Sequence, residues 1–390
     1  MRVLVISYLP PTLANSEAIV FFKTLRALSQ RCIVQVITSD LDNGPMADSS
    51  LVSLMRSLDR VTIERYPTLP SLPIVWIKNV LDSVNYTMNS GAFDIIYSRS
   101  LPQDSHSVAA FVRRSFPNIP WVAQFNDPWA VHPWNDGQSL ESYRRDKERD
   151  TLMQADGLVF CNDALRDHFS VVHGVDLAEK STVIPHSFAP DLYPKDCDRP
   201  KTPIVFKHVG RFYGKRTPGS LLAAIDYIDT RYPKYRRLLS FCFTGHMDQE
   251  SHTLIEEYRQ RLAVPITISD NVNFTESLRE MKESSALVLV EASDEHSIFL
   301  PSKLIDYMGA NRPILGITRR SSTSAAILSK LGHWTASPTD SERIANTLMN
   351  MTDSLLDDTP HYQTTSLQYK FTDWHTADQL ISFFQRVSGS

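Results

Sequence analysis

A rhythm that runs, stops and restarts constrains this chain more than any other feature. Short β-rich runs alternate with segments whose apolar residues recur at helical spacing. "RVLVIS" (2–7) reads as a strand, "SEAIVFFKTLRALSQ" (16–30) as a helix with Ser16 at its N-cap, and "CIVQVITS" (32–39) as the next strand. Further on come strands at 93–99, 120–126, 156–161 and 181–187, with helices around 105–115 and 163–173 between them. Such alternation predicts a parallel sheet covered by helices on both faces. At "SFAPDLYPKDCDRPKTP" (187–203) the composition changes: four prolines in seventeen residues read as a linker, 188–203. The rhythm restarts at "IVFKHVG" (204–210) and runs on through strands at 238–245, 266–270, 286–291 and 313–318. Helices are expected at 218–228, 250–262, 275–285, from Ser302, near 322–331 and at 340–356. The expected organisation is an α/β fold of two Rossmann-like halves, 1–187 and 204–370, followed by an amphipathic helix within 371–390. Two such domains facing each other would form a cleft, because ligands bind outside the carboxyl ends of parallel strands.

Composition excludes several classes. With 390 residues, 42% hydrophobic and 22% charged, the chain is long enough for two ordinary domains. A net charge of -4 gives no electrostatic case for a nucleic-acid partner. The four cysteines are scattered without a CxxC pair, which argues against a metal or disulfide framework and for a reducing compartment. The opening apolar run of about five residues is too short for a signal peptide. No stretch approaches the ~18 apolar residues that a membrane span needs. A cytoplasmic location is expected, with peripheral association at a membrane face left open.

Two motifs carry chemistry. In "HVGRFYGKRTP" (208–218) a strand ends at Gly210, and Arg211, Lys215 and Arg216 follow on a short loop. Three cations at the carboxyl end of a strand suit a diphosphate, which guanidinium groups bind bidentately. The same loop reads equally well as a solvated basic turn. In "FLPSKLIDYMGANRPILGIT" (299–318) the turn Leu300, Pro301, Ser302 opens into a helix. Its first N–H groups and dipole make an anion site, to which Lys303 adds charge. Asp306, one turn in, is placed to accept hydrogen bonds from vicinal hydroxyls. The alternative is an ordinary helix start. Together the two motifs suggest a nucleoside-diphosphate sugar.

With "MRVLVISYLPP", "IPWVAQFNDPWA" (119–130), "QADGLVFCNDALRDHF" (154–169) and "VIPHSF" (183–188), these motifs resemble the GT-B glycosyltransferases of the large retaining family 4. The resemblance covers nearly the whole chain. It implies an acceptor site in the N-terminal domain, a UDP- or GDP-sugar in the C-terminal domain, and a last helix (373–387) that crosses back to the first domain. It implies that Arg211 and Arg216 hold the donor diphosphate and that Asp306 reads the ribose, a position more often Glu. The first acid of the family's E-x7-E motif would fall at Ile298, which cannot perform that role; Glu295 is near in sequence and a candidate to substitute. His246 and Phe274 fall where the family holds sugar and base. In place of a Gly-Gly pair after the first strand stand Ala14, Asn15 and Ser16, with Ser16 a candidate phosphate ligand at the helix start. Asp127 is the candidate to orient or deprotonate an acceptor hydroxyl, or else caps the turn before Pro128. Arg99, Trp129 and Trp134 are the acceptor-side candidates, the two tryptophans facing a sugar or lipid acceptor.

The implied reaction is transfer of a sugar to a glycan or lipid-linked acceptor, with retention and without metal or other cofactor, in the setting of surface polysaccharide or glycolipid synthesis. "DLD" (40–42) and "DCD" (196–198) resemble metal-binding DxD motifs, but read more simply as polar loops. His132, His173 and His333 lack partners at ligand spacing and read as surface or capping residues. "FVRRSFP" (111–117) reads as a solvated helix face, with contact to anionic lipid as the alternative. Two rival functions remain: a nucleotide-sugar 2-epimerase on the same fold, and a non-catalytic nucleotide-sugar-binding subunit, which the apolar Ile298 favours.

Overall fold

A computed structural model of the chain describes all residues except 70, 71, 90, 133–139, 196, 198–201, 293–296, 358–365 and 390. The described residues form two units, Met1–Ser187 with Phe371–Ser390, and Phe188–Lys370.

The first unit runs β1 (Arg2–Ile6), α1 (Ser16–Ser29), β2 (Ile33–Ser39), α2 (Ser49–Arg56), β3 (Val61–Tyr66), α3 (Pro73–Asn89), β4 (Ile95–Arg99), α4 (Asp104–Ser115), β5 (Trp121–Phe125), α5 (Glu141–Gln154), β6 (Gly157–Phe160), α6 (Asp163–His173) and β7 (Ser181–Val183). All its strands pair in parallel, in the order β3-β2-β1-β4-β5-β6-β7. Val3 to Ile6, Ile95 to Tyr97 and Trp121 to Ala123 are fully buried, as expected of strands covered on both faces. The N-cap of α1 is Asn15, not Ser16: the Asn15 side chain accepts the Ala18 N–H at 2.8 Å, and Ser16 is the exposed first helical residue. Asn is as good an N-cap as Ser, and here its oxygen is the one within reach of the free amide. The C-terminal helix, Asp373–Ser388, packs on α1, with Asp373 paired to Arg26, and buries Leu380, Phe383 and Phe384, Phe384 against Tyr97 of β4 and Phe383 beside Gly157 of β6.

The second unit runs β8 (Ile204–Val209), α7 (Gly219–Arg231), β9 (Leu239–Thr244), α8 (Gln249–Arg261), β10 (Ile266–Ser269), α9 (Phe274–Glu283), β11 (Ala286–Val290), α10 (Ser302–Ala310), β12 (Ile314–Ile317), α11 (Thr323–Lys330), β13 (Trp334–Ala336), α12 (Ser341–Leu356) and α13 (Ser366–Tyr369). The C-terminal helix of the first unit is then α14. The six strands are parallel, in the order β10-β9-β8-β11-β12-β13. Part of the proline-rich stretch belongs to this body: Phe188, Ala189 and Tyr193 are buried, and the Tyr193 hydroxyl donates to the Asp306 carbonyl at 2.8 Å. Its aromatic side chains find apolar cover that prolines alone do not predict.

Numbered within each sheet, both follow the 3-2-1-4-5-6 order, the first with a seventh strand added. That order reverses between β1 and β4 and again between β8 and β11. Chains leaving neighbouring strands there diverge to opposite faces, which opens a crevice at the carboxyl ends.

Candidate functional site

In the second unit, the strands flanking the reversal lead into the two motifs singled out above. β8 ends at Val209 and enters the Gly210 turn; β11 ends at Val290, and the chain returns to open α10 at Ser302. The turn after β8 is also joined to the turn after β9. The Gly210 N–H donates to the Thr244 carbonyl at 2.9 Å. Gly245 has φ +124°, and a Cβ built on it would lie 2.2 Å from the Gly210 carbonyl oxygen, so only glycine lets these backbones approach. A Cβ on Gly210 would lie 3.2 Å from His208 Nε2 and 3.7 Å from Lys303 Cε, which brings the basic loop beside the start of α10.

The loop itself is tight. Tyr213 and Arg216 exchange backbone hydrogen bonds, each at 3.1 Å, and the Arg216 guanidinium lies over the Tyr213 ring at 5.5 Å. Arg211 and Lys215 are exposed, and Arg216 is half-buried. Buried His208 stacks on Phe212 at 4.2 Å and is bonded through Nδ1 to the Val288 carbonyl at 3.0 Å. Burial first, then the charges of Arg216 and Lys303, pull its pKa down to about 3. Both cations therefore act on one imidazole.

Helix α10 starts after Pro301 without a side-chain cap bond, and Pro301, Ser302 and Lys303 are half-buried. Tyr307 ties it to β8 by accepting the Val209 N–H at 2.9 Å. Leu300 and Asp306 are buried, Asp306 with 3% exposure. Ile298 is also buried, so the position that the resemblance marks for a first acid is apolar packing. His246 is exposed, and its carbonyl accepts the Phe212 N–H at 3.2 Å. Phe274 is buried at the N-terminus of α9. Glu295 and Trp134 lie outside the described residues. Ser16 opens α1 in the first unit, apart in sequence and sheet from this cluster.

One acid here escaped the sequence reading. Glu291 follows β11 directly, is 6% exposed, and accepts hydrogen bonds from Thr318 and Ser324. Burial raises its pKa, partly offset by those hydroxyls and by the charge of Arg216. An acid closing an apolar strand, "ALVLVE", was the available signal.

In the first unit, Asp127 is half-buried just past β5. The Trp129 N–H donates to buried Glu148, whose other oxygen lies 3.0 Å from His173 Nε2. His173 is thus a core residue at the end of α6, not a surface or capping one; Glu148 supplies the partner that sequence spacing did not reveal. The Trp129 ring meets Tyr143 edge-on at 6.1 Å and lies under Arg144. Both aromatic residues line a cavity of about 360 Å³, with Leu72 and Ile74 among its apolar residues and Asp104 and Lys147 among its charged ones. Arg99 is buried and paired with Glu17 at 2.9 Å. The "DLD" aspartates serve the fold: Asp42 is paired with Arg65 at 2.7 Å, and Asp40 accepts the Thr68 N–H at 3.0 Å.

Among the described residues no cluster of three His, Cys, Asp or Glu side chains is placed to hold a metal ion. No described helix is long and apolar enough to cross a membrane.

The two sheets and their connections have the fold of the GT-B glycosyltransferases. Three solved structures illustrate the likeness. The sucrose-phosphate synthase of Thermosynechococcus elongatus matches with a TM-score of 0.73 at 14% identity, over 100% of this chain and 99% of that one. Anabaena HepE, in complex with UDP-glucose, matches at 0.63 and 14% identity, over 100% and 98%. A Listeria monocytogenes protein described as a UDP-N-acetylglucosamine 2-epimerase matches at 0.63 and 11% identity, over 100% and 97%. No protein-family model matches the chain, and no curated protein matches it in sequence.

Proposed function

We propose that the chain is a glycosyltransferase that moves a sugar from a nucleoside-diphosphate sugar to an acceptor hydroxyl. The observation that carries this reading is the convergence of the Gly210–Arg216 loop and the α10 start at the strand-order reversal of the second sheet. In this reading Arg211, Lys215, Arg216 and Lys303, with the first amides of α10, bind the donor diphosphate. Charge accumulates on that diphosphate as the glycosidic bond breaks, so the same cations stabilise the leaving group. They supply the positive charge, so the reaction is expected to need no metal. Asp306 reads the nucleoside ribose, and Leu300, Pro301 and Ser302 shape the entry. The acceptor binds on the first unit, where Asp127 orients its hydroxyl and Trp129 offers a ring face to a sugar beside the apolar Leu72–Ile74 wall. Retention, and a role in surface polysaccharide or glycolipid synthesis, complete the proposal; both are implied by the family resemblance.

A melting-temperature screen with UDP, GDP, CMP and their sugar conjugates tests the donor site. A ligand at about 100 times its Kd adds about 2.7 kcal/mol of stability. One diphosphate should raise the Tm of the wild type, and Arg216→Ala and Asp306→Ala should abolish the rise. Arg216→Ala should also lower turnover ~10²–10³-fold. A folded protein that none of the nucleotides shifts would overturn the reading. The epimerase alternative is favoured by the Listeria neighbour; it predicts release of nucleotide and free sugar in the absence of acceptor.

A further inference from the structure

We propose that Glu17 is a positioning residue for the turn that carries Asp127. Glu17 lies in the first turn of α1, and its carboxylate reaches the end of β5, where both oxygens accept the Asn126 side-chain amide, at 2.8 and 2.9 Å. The same carboxylate takes the Arg99 guanidinium at 2.9 Å. Arg99 donates to Gln124 Oε1 at 3.0 Å, and Gln124 donates to Asn126 Oδ1 at 2.8 Å. The bonds close a ring of four side chains drawn from α1, the last residue of β4, β5 and the residue after β5. From the far side, the Cys161 thiol donates to the Asn126 carbonyl at 3.5 Å. Asn126 is therefore held through its side chain and its backbone, and Asp127 is the next residue.

The ring is stiff because of what it buries. The Arg99 side chain is 1% exposed, against 23% for Glu17. A guanidinium at that depth cannot release its carboxylate without being left an uncompensated charge. Glu17 is thus pinned from inside the unit while it reaches out to the turn. Without it, Asn126 keeps only the Gln124 amide on its side chain and the Cys161 thiol on its carbonyl, and the direction in which Asp127 leaves β5 is less tightly fixed. A misplacement of about 1 Å is enough to cost about 10²-fold in rate.

The functional consequence rests on Asp127 orienting the acceptor hydroxyl; the packing consequence does not. The test therefore has two arms, on full-length wild type, Glu17→Ala and Glu17→Gln. Hydrogen exchange of the 122–131 segment, followed by mass spectrometry, reads the packing. Turnover of UDP-glucose and GDP-mannose reads the function. Glu17→Ala should speed exchange at 126–130 by about tenfold or more, with the second unit unchanged. Its kcat should fall about 10²-fold while the donor KM stays within about twofold. Glu17→Gln, which keeps an oxygen for Arg99, should recover part of both. Unchanged exchange at 126–130 would overturn the proposal. So would exchange raised evenly across the whole first unit, with no excess at 126–130, since Glu17 would then be ordinary core. If the wild type turns over neither probe, the exchange arm still decides the link to Asn126, and the failure belongs to the enzyme reading. If Asp127→Asn keeps wild-type turnover, the functional half fails with the role of Asp127.

Discussion

At the residue scale, the cations of the basic loop were readable and the partners of the buried acids were not. Arg211, Lys215 and Arg216 follow one another on a loop behind a recognisable strand, so type and place are visible together. Glu17 and Arg99 are 82 positions apart, Glu148 and His173 are 25 apart, and Glu291 and Ser324 are 33 apart. No local pattern announces such pairs. Asp42 shows the same limit: "DLD" looks like a metal motif until Arg65 and Thr12 are seen on its carboxylate, the Thr12 hydroxyl at 2.5 Å. Burial would raise the Asp42 pKa, but the hydrogen bonds from Arg65 and Thr12 and the Arg65 charge bring it below the usual carboxylate value. A depressed folded pKa stabilises above the unfolded value, about 3.9, and that stability is lost as pH falls through the folded pKa. Asp42→Asn should therefore cost about 1 kcal/mol at pH 7. The deficit should shrink below about pH 4, as urea melts across that range would show. A deficit that does not change with pH would mean that the charge of Asp42 is irrelevant.

At the element scale, amphipathic helices and apolar strands follow the sequence rhythm, while α2, β3, α3, α5 and β13 were not among the expected elements. Helix α5, "ESYRRDKERDTLMQ", shows why. Its buried residues are Glu148, Thr151 and Leu152, so two of the three are polar and no apolar stripe marks the face. Their i, i+3, i+4 spacing is helical, but it is His173 and the Trp129 amide that make burial of Glu148 tolerable. The turn between β9 and α8 carries the opposite lesson. "FTGHMD" marks a turn, yet only the packed backbones show that the glycine is obligatory. Gly245→Ala strains φ and drives a methyl into the Gly210 carbonyl. It should cost about 2 kcal/mol in denaturant unfolding. By displacing Gly210 it should also weaken the nucleotide-induced Tm rise; an unaffected Tm rise would separate the Gly210 turn from the donor site.

At the scale of the whole molecule, the chain builds the same strand order twice and then returns its last helix to the first unit. Helix α14 buries Leu380, Phe383 and Phe384, and each such side chain contributes about 1.5–3 kcal/mol. The total rivals the 5–15 kcal/mol that holds a typical domain folded. Truncation before Phe371 should therefore unfold the first unit or make it aggregate, while the second unit still melts cooperatively in calorimetry. Retention of both transitions would show that α14 is dispensable.

The alternation of strands with helices, the restart after a proline-rich stretch and the basic loop behind β8 were determined by sequence alone, because hydrophobic period, turn chemistry and charge act between near neighbours. The tertiary structure decided which turns share a strand-order reversal, which glycine must have no side chain and which acids are spoken for. Those depend on contacts between residues tens of positions apart, and burial sets both the charge state and the partner of each group.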